Sequence, residues 1–330
     1  MKTSIFAATA AIALCAGATV GATELRLGMS APEQTPWGAA ANAVAARVAE
    51  LSGGDLTLSV YFNNELGDGQ TMARQLGRGR LDMAMLSNVE ASLLLPEFGL
   101  LNAPYLFTDL AETDCVMDNY LATTFDAGFE AAGAVFLAPF DVGAMQIFAR
   151  RAYLTPADIA SESIRTSPAP TDTYFIQAAG AAAVPLGVPD TMPALRTGTV
   201  VGITTPIIMG VAGGYFSEAP EITMTNHSYQ IGALLISRRT WDGLSDAQRD
   251  ALREGVGAMT GLRAQVRGAE QALLARAEGA GAHVNTLSAD DLAAWREAVA
   301  AALPDIVASV GAGGDAAWAS LQEARAQCAQ

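Results

Sequence analysis

One arginine in an apolar setting is the residue best suited to bind a small anion. Arg165 follows Ile164 and precedes Thr166, within a segment that has the composition of a short strand. At the end of a strand, a guanidinium can donate two parallel hydrogen bonds to one carboxylate. A surface arginine could have the same neighbours, so the local sequence leaves both interpretations open.

Motifs for metals and cofactors are missing from the sequence. The two histidines, His227 and His283, lie far apart, and the three cysteines form no Cys-x-x-Cys pair. Structural zinc sites usually have closely spaced ligands, so we expect no metal. Segment 77–79 has two glycines of a dinucleotide-binding motif but lacks the third glycine and a preceding strand. We therefore expect no cofactor.

Residues that could catalyse a reaction are equally sparse. The chain has no Gly-x-Ser-x-Gly nucleophile motif. His227 could act as a base, but a lone histidine is more often a structural hydrogen-bonding group, and we favour that interpretation. Glu65 and Asp68 could form an acid pair, although neighbouring acids in a polar loop are usually solvated.

Composition and charge exclude several classes of protein. The 330 residues are enough for two domains, and 51% hydrophobic with 16% charged residues excludes a disordered chain. There are 19 basic and 34 acidic residues, which give a formal net charge of −15. Nucleic acid requires a basic face, and an anionic lipid surface would repel this chain. We expect neither as a partner.

The N-terminus has the features of an export signal. Lys2 is followed by an apolar run over 5–20, and small residues at 20–22 suit cleavage. This pattern predicts a signal peptide over residues 1–22 and an exported mature chain. The alternative is a retained N-terminal anchor, although the run is short for a membrane span.

Export bears on the two cysteines that the mature chain would keep. Cys115 and Cys328 could form a disulfide in an oxidising compartment. The sequence does not show whether their Cα atoms come close enough, so a disulfide and two separate thiols remain equal alternatives.

The elements that would position these residues alternate between strands and helices. Strands are predicted over seven segments: 25–29, 56–62, 81–86, 134–138, 163–166, 200–205 and 221–225. Helices are predicted over 36–51 and 70–76, and further helices should start at 156 and 289. This alternation is typical of an α/β fold with largely parallel strand pairing.

The chain changes character after Ser245. Ser245 and Gln248 form a capping box, and no proline occurs over 246–278, where Ala, Leu, Arg and Glu dominate. The segment predicts one long helix. A bend is expected at one of its glycines: Gly255, Gly257 or Gly261.

Ordered motifs along the chain match those of one protein family. They are N-x-x-L-G at 63–67, G-x-[IL]-D-M at 79–83, P-[FY]-[LV]-F at 104–107, P-x-D at 156–158 followed by Ile164-Arg165, and T-x-H-x-Y at 225–229. The set resembles the solute-binding proteins of TRAP (tripartite ATP-independent periplasmic) transporters, of the dicarboxylate-binding type. The similarity covers about residues 25–281 and is weak in the C-terminal tail.

The resemblance implies an α/β fold, namely a two-lobed periplasmic binding protein with a long helix bracing both lobes. It implies a first lobe of residues 23–142 with 231–270 and a second lobe of 143–230 with 271–330. The cleft between the lobes would close on a small organic acid. The periplasmic protein would then deliver this acid to the integral-membrane permease subunits.

The resemblance also implies a set of ligand-binding residues. Arg165 falls on the family's carboxylate-binding arginine, and Thr205 occupies the position of an asparagine that commonly assists it. Val188 falls on an aromatic wall position, Met145 lies near the position of a second arginine, and Ser87 completes the expected set. The cleft should therefore be less cationic and more apolar than in relatives that bind acidic ligands. We expect a monocarboxylate with an apolar or neutral body, not a dicarboxylate.

Two other functions would use the same scaffold. The protein could be a ligand-binding subunit that feeds a sensor, or an exported enzyme. An enzyme should turn over the bound acid and lose that activity in His227→Ala, whereas a binding protein should release the acid unchanged. The missing nucleophile and metal motifs favour binding.

Overall fold

The computed structural model describes residues 22–329, which form a mixed α/β structure. Over this part of the chain the ten strands are β1 (Thr23–Met29), β2 (Leu56–Tyr61), β3 (Met83–Leu86), β4 (Ala134–Ala149), β5 (Ser163–Thr166), β6 (Ala182–Pro185), β7 (Gly202–Pro206), β8 (Glu221–Met224), β9 (Tyr229–Ser237) and β10 (His283–Thr286). The expected signal peptide, residues 1–22, lies outside the described residues except for Ala22.

Helices fill the intervals between the strands. The α-helices of the described residues are α1 (Pro36–Leu51), α2 (Gly69–Gly77), α3 (Asn88–Ala91), α4 (Leu110–Asn119), α5 (Leu121–Ala131), α6 (Pro156–Ile159), α7 (Pro170–Ala178), α8 (Val188–Thr197), α9 (Ile207–Ala212), α10 (Arg238–Gly243), α11 (Asp246–Gly255), α12 (Leu262–Gly279), α13 (Ala289–Ala300), α14 (Leu303–Ser309) and α15 (Gly314–Cys328). Short 3-10 helices lie at Pro96–Asn102, Tyr215–Ser217 and Val256–Met259. Between residues 22 and 329, no helix has both the length and the apolar character needed to cross a bilayer.

Two sheets share the long strand β4. The first sheet has the order β2-β1-β3-β9-β4, and in the second β4 is followed by β7, β5 and β6, while β8 pairs with β4 and β10. The expected parallel pairing holds around β1, around β5 and between β8 and β10. The pairs formed by β4 and β9 are antiparallel, because the chain crosses to the second sheet through β4 and returns through β9.

Strand β4 is much longer than the predicted segment 134–138. Its first part pairs with β9, and from Met145 onwards it pairs with β7. Its register against β9 shifts twice, between Phe136 and Ala138 and between Asp141 and Gly143. Such bulges break the side-chain alternation by which a strand is identified in a sequence. One continuous strand therefore connects the two lobes.

The long helix predicted over 246–278 is interrupted. Helix α11 ends at Gly255, and a 3-10 turn precedes α12. A Cβ added at Gly255 would lie 2.4 Å from Cγ2 of Val48, so α1 approaches too closely for a side chain there. Helix α12 contacts α1 beside the first sheet, and α9 and β10 beside the second. The bracing helix implied by the resemblance is therefore α12.

Ion pairs fasten α12 to the crossing strand β4 and to α4. Arg267 Nη2 lies 3.2 Å from Oδ2 of the buried Asp141 and 2.5 Å from Oδ1 of Asp114. Arg263 Nη2 lies 2.7 Å from Oδ1 of Asp118. Asp141 is buried, so loss of Arg267 would leave its charge uncompensated, and this pair fixes the helix against the strand. The more exposed pair with Asp118 contributes less.

The last helices pack on the first lobe. Ile306 and Leu321 belong to its larger hydrophobic cluster. Cys115 and Cys328 form a disulfide, with Cα atoms 5.8 Å apart, which decides between the two alternatives that the sequence left open. The division into lobes remains a proposal, and we propose to change it at one point: residues 303–328, which the resemblance implied for the second lobe, belong with the first.

Candidate functional site

One cleft between the two sheets is lined by all five residues that the sequence placed at a ligand site. They are Arg165, Thr205, Met145, Val188 and Ser87. Segments more than 100 residues apart thus meet at one place, as the resemblance implied. That these residues contact a ligand remains a proposal.

The cleft lies at the carboxyl ends of strands from both sheets. Ser30 follows β1, Ser87 follows β3 and Ser167 follows β5, and all three side chains line it. In open α/β sheets, ligands bind outside the carboxyl ends of the strands. Strand topology alone therefore places small polar groups where a ligand would lie.

Arg165 is fixed within the cleft by backbone carbonyl groups. Its side chain donates to the Leu186 carbonyl from Nε at 3.0 Å and from Nη2 at 2.6 Å, and Nη1 donates to the Thr204 carbonyl at 3.4 Å. A guanidinium has five N–H groups, so two remain for another acceptor. The residue is 7% exposed, and no ion pair within 4.0 Å is made by its guanidinium to any described residue.

A buried acid lies behind this arginine. Burial raises the pKa of Asp172, while a hydrogen bond from Ser167 and the charge of Arg165 oppose the shift. Asn102 Nδ2 donates to Asp172 Oδ1, and Asn102 Oδ1 accepts from Ser228 Oγ at 3.0 Å. The network links α7 to the segment between β8 and β9. Sequence reasoning missed it because its members are far apart in the chain.

Burial lowers the pKa of the Arg165 guanidinium, and the nearby groups Asp172 and Tyr215 oppose this shift. Arginine nevertheless stays protonated in proteins, because its ordinary pKa is above 12. The cleft therefore holds a permanent positive charge with incomplete solvation. Such a group favours an anionic ligand.

The remaining expected residues differ in exposure. Thr205 and Met145 are buried, and each pairs across β4 and β7, with Gln146 and Pro206 respectively. Val188 is the first residue of α8 and is 41% exposed, so it lines the rim of the cleft. An aliphatic side chain there gives apolar contact without the flat surface of an aromatic ring.

Ser87 forms hydrogen bonds with Glu90, a residue that the sequence analysis did not identify. Ser87 caps α3 and Glu90 is its capping-box partner: Glu90 Oε2 accepts from the Ser87 backbone N–H at 2.9 Å. Glu90 Oε1 accepts from Ser30 Oγ at 2.8 Å. Burial raises the pKa of the Glu90 carboxyl, and these hydrogen bonds oppose the shift. Glu90 and Asp68 both line the cleft, and Asp68 is exposed, as expected of a polar loop.

His227 lies outside the set of residues that line the cleft. It is buried, its Nδ1 lies 2.7 Å from Thr225 Oγ1, and its ring stacks on Phe175 at a centroid distance of 3.9 Å. Burial lowers the pKa of His227 to about 3, so the ring is neutral at physiological pH. These contacts agree with the structural role favoured from the sequence.

Comparison with known proteins agrees with the fold. The model of a family described as bacterial extracellular solute-binding protein, family 7 (DctP), matches residues 27–309. The 2,3-diketo-L-gulonate-binding periplasmic protein YiaO of Escherichia coli strain K12 is 27% identical over 244 residues, which cover 74% of this chain and 74% of YiaO.

Solved structures share the architecture over nearly the whole length. A TRAP periplasmic solute-binding protein from Bradyrhizobium sp. BTAi1, in complex with α/β-D-galacturonate, has a TM-score of 0.85 and 25% identity, covering 92% of this chain and 99% of that one. Another from Sulfitobacter sp. NAS-14.1, with bound β-D-galacturonate, has a TM-score of 0.86 and 21% identity over the same shares. Since the family model matches most of its length, the chain belongs to the DctP family of TRAP solute-binding proteins.

Proposed function

We propose that this protein is the periplasmic solute-binding subunit of a TRAP transporter. It binds an organic monocarboxylate and delivers it to the integral-membrane permease subunits. The observation that carries this proposal is the buried guanidinium of Arg165 in the cleft, with three hydrogen bonds to carbonyl groups and two N–H groups left. A ligand carboxylate would pair with this charge in a bidentate manner.

The charge of the cleft favours an acid with one carboxylate. Arg165 is the only basic side chain among the described residues that line it. Met145, which lies near the position of a second arginine, is apolar and buried. A second ligand carboxylate would therefore enter the cleft without a cationic partner, which is unfavourable.

The named relatives support a sugar acid as the ligand class. YiaO is named for 2,3-diketo-L-gulonate, and two similar structures contain galacturonate. Such a ligand has a neutral, hydroxylated body, and this agrees with the neutral body expected from the sequence. Ser30, Ser87 and Ser167 offer hydroxyl groups for it, while Trp37 and Phe140 offer apolar surface.

The test is ligand binding by the mature protein, unfolded and refolded to remove any acid carried through purification. A thermal-shift panel of sugar acids, alkyl acids and diacids identifies the ligand, and calorimetry then gives its Kd. Arg165→Ala should weaken binding by about 30-fold or more, as expected for breaking a buried charged pair. Arg150→Ala is the matched control, because Arg150 is exposed and does not line the cleft. Equal affinity in Arg165→Ala and the parent protein would refute the assignment.

The same experiment separates the rival functions. A binding protein returns the acid chemically unchanged, whereas an exported enzyme on this scaffold would convert it, which mass spectrometry of the released ligand detects. A sensor subunit would bind its acid equally well but would support no uptake when produced with the permease. Export predicts that the mature N-terminus lies near Thr23, which intact-mass measurement checks.

A further inference from the structure

The wall of the cleft opposite Arg165 has negative charge. Arg165 lies on β5 of the second sheet, whereas Asp68 caps α2 and Glu90 lies on α3, and both helices pack against the first sheet. All three side chains line the same cleft. A ligand that binds Arg165 through a carboxylate therefore shares the cleft with two acids of the first-sheet side.

Glu90 is held firmly in this position. Its carboxylate accepts hydrogen bonds from Ser30 Oγ at 2.8 Å, from the Ser87 backbone N–H at 2.9 Å and from Ser87 Oγ at 3.1 Å. It also lies against the first residue of α2, where a Cβ added at Gly69 would meet Glu90 Oε1 at 1.8 Å. The side chain can rotate away only by breaking these hydrogen bonds, which opposes its displacement by a group entering the cleft.

Neither acid is neutralised by a cation. Among the described residues, no ion pair within 4.0 Å is formed by Glu90 or Asp68. The pKa of Asp68 is lowered mainly by hydrogen bonds from Thr71, and the charge of Arg74 contributes less. Their hydrogen bonds come from neutral hydroxyl and backbone groups. Burial raises the pKa of Glu90, but the hydrogen bonds from Ser87 and Ser30 favour its ionised form, and an ionised carboxylate only accepts hydrogen bonds. This wall therefore suits hydroxyl or other donor groups and repels a second carboxylate.

We propose that Glu90, assisted by Asp68, is the residue that determines specificity for monocarboxylates by excluding a second carboxylate from the first-lobe end of the cleft. This inference rests on the proposed binding of an acid through Arg165. The absence of a second arginine removes a partner for a second carboxylate. The proposal adds that the Glu90 side chain actively repels that carboxylate. Selectivity here comes from a repulsive contact with the competing ligand as well as from an attractive contact with the preferred one.

The test compares a monocarboxylate with the diacid of the same carbon skeleton. The first pair is galactonate and galactarate, which are both open-chain acids and differ only in the second carboxylate; if galactonate does not bind, the pair is formed from whichever acid the panel identifies and its terminally oxidised diacid. The parent protein should bind the monocarboxylate at least tenfold more tightly. Glu90→Gln should reduce this ratio to below threefold, mainly by improving the affinity for the diacid.

The substitutions keep the local fold. Glutamine also serves in a capping box, so Glu90→Gln retains the cap of α3, and Asp68→Asn retains the cap of α2. Asp68→Asn should reduce the ratio less than Glu90→Gln because Asp68 is exposed. Glu65→Gln is the matched control: this acid is exposed on the same loop but does not line the cleft, and the ratio should not change.

The outcomes distinguish the two proposals. If Arg165→Ala abolishes binding but the parent binds both acids equally, or Glu90→Gln leaves the ratio unchanged, the role of Glu90 is refuted and the proposed function stands. If no acid binds, or binding is indifferent to Arg165→Ala, the proposed function fails. Should Glu90→Gln not fold, the affinity ratio of monocarboxylate to diacid is compared between the parent protein and Asp68→Asn. A lower ratio in Asp68→Asn supports the proposal, and an unchanged ratio refutes it.

Discussion

Glu270 on the bracing helix α12 lies directly against Gly143 of β4, the strand that joins the two sheets. A Cβ added at Gly143 would lie 2.3 Å from Glu270 Oε1, and Gly143 has a φ of +118°. This backbone conformation is open essentially to glycine alone, and the carboxylate occupies the place of a side chain. Glycine is thus required at position 143 both by the backbone conformation and by the lack of room for a side chain.

Gly143→Ala should destabilise the protein by about 2 kcal/mol, from backbone strain together with the displaced Glu270 carboxylate. Urea unfolding followed by circular dichroism measures this change. Gly281→Ala is the control, because Gly281 also has a positive φ, +97°, but nothing lies within 4 Å of a Cβ there. An equal effect of the two substitutions would show that the contact with Glu270 is unimportant.

Glu270 should make the stability depend on pH. Burial, with the charge of Asp141, raises the pKa of its carboxyl from 4.5 to about 7, although Arg267 and the Ala144 backbone N–H oppose the shift. Between these values the folded protein keeps a proton that the unfolded chain releases. The contribution of Glu270 to stability is therefore full below about pH 4.5 and is lost as the pH rises to about 7.

Glu270→Gln should remove this dependence. Between pH 5 and pH 8 the parent protein should lose up to about 3 kcal/mol relative to the variant. Urea unfolding at both pH values gives the difference. Glu278→Gln, at an exposed position on the same helix, should follow the parent. Parallel pH profiles for the parent and Glu270→Gln would contradict the expected titration.

The disulfide should stabilise the fold without affecting the cleft. Cys115 and Cys328 are separated by 213 residues, and closing so long a loop restricts the unfolded chain. The doubly substituted Cys115→Ser, Cys328→Ser protein should lose about 2–5 kcal/mol. Glu112 and Arg325, paired at 2.8 Å, would still hold α15 on α4. Ligand affinity should not change, since neither cysteine lines the cleft.

A reducing agent provides the control for this prediction. It should lower the unfolding temperature of the parent protein and leave that of the double variant unchanged. The two reduced proteins should then unfold at nearly the same temperature. If the oxidised parent and the double variant were equally stable, the bond would have no role in stability.

Prediction from the sequence was most accurate for features that depend on residues close together in the chain. Strand β5 was predicted at 163–166 and is observed there, because a short β-branched segment lies between clear breaks. Arg165 was identified for the same reason, with help from the family motifs. The capping boxes at Thr155 and Ser288 also mark helix starts as predicted, since a cap depends on residues only three positions apart.

Features made by distant contacts escaped prediction. Strand β9 is buried throughout, and an apolar segment of that kind does not distinguish strand from helix. Glu90 lies 60 residues from Ser30, whose hydroxyl fixes it, and Asp172 lies 70 residues from Asn102. No local pattern marks these pairs. These residues come into contact only when the chain has folded.

The hydrogen bonds from Arg165 to carbonyl groups have a thermodynamic consequence. A free arginine side chain has about 2 kcal/mol of rotamer entropy, which is lost when the side chain is held in one position. Leu186 and Thr204 already hold this side chain through their carbonyl oxygens. A ligand therefore meets an arginine whose freedom was lost during folding, and binding does not have to oppose that loss again. Calorimetry should show a smaller entropic penalty than an exposed, mobile arginine would impose.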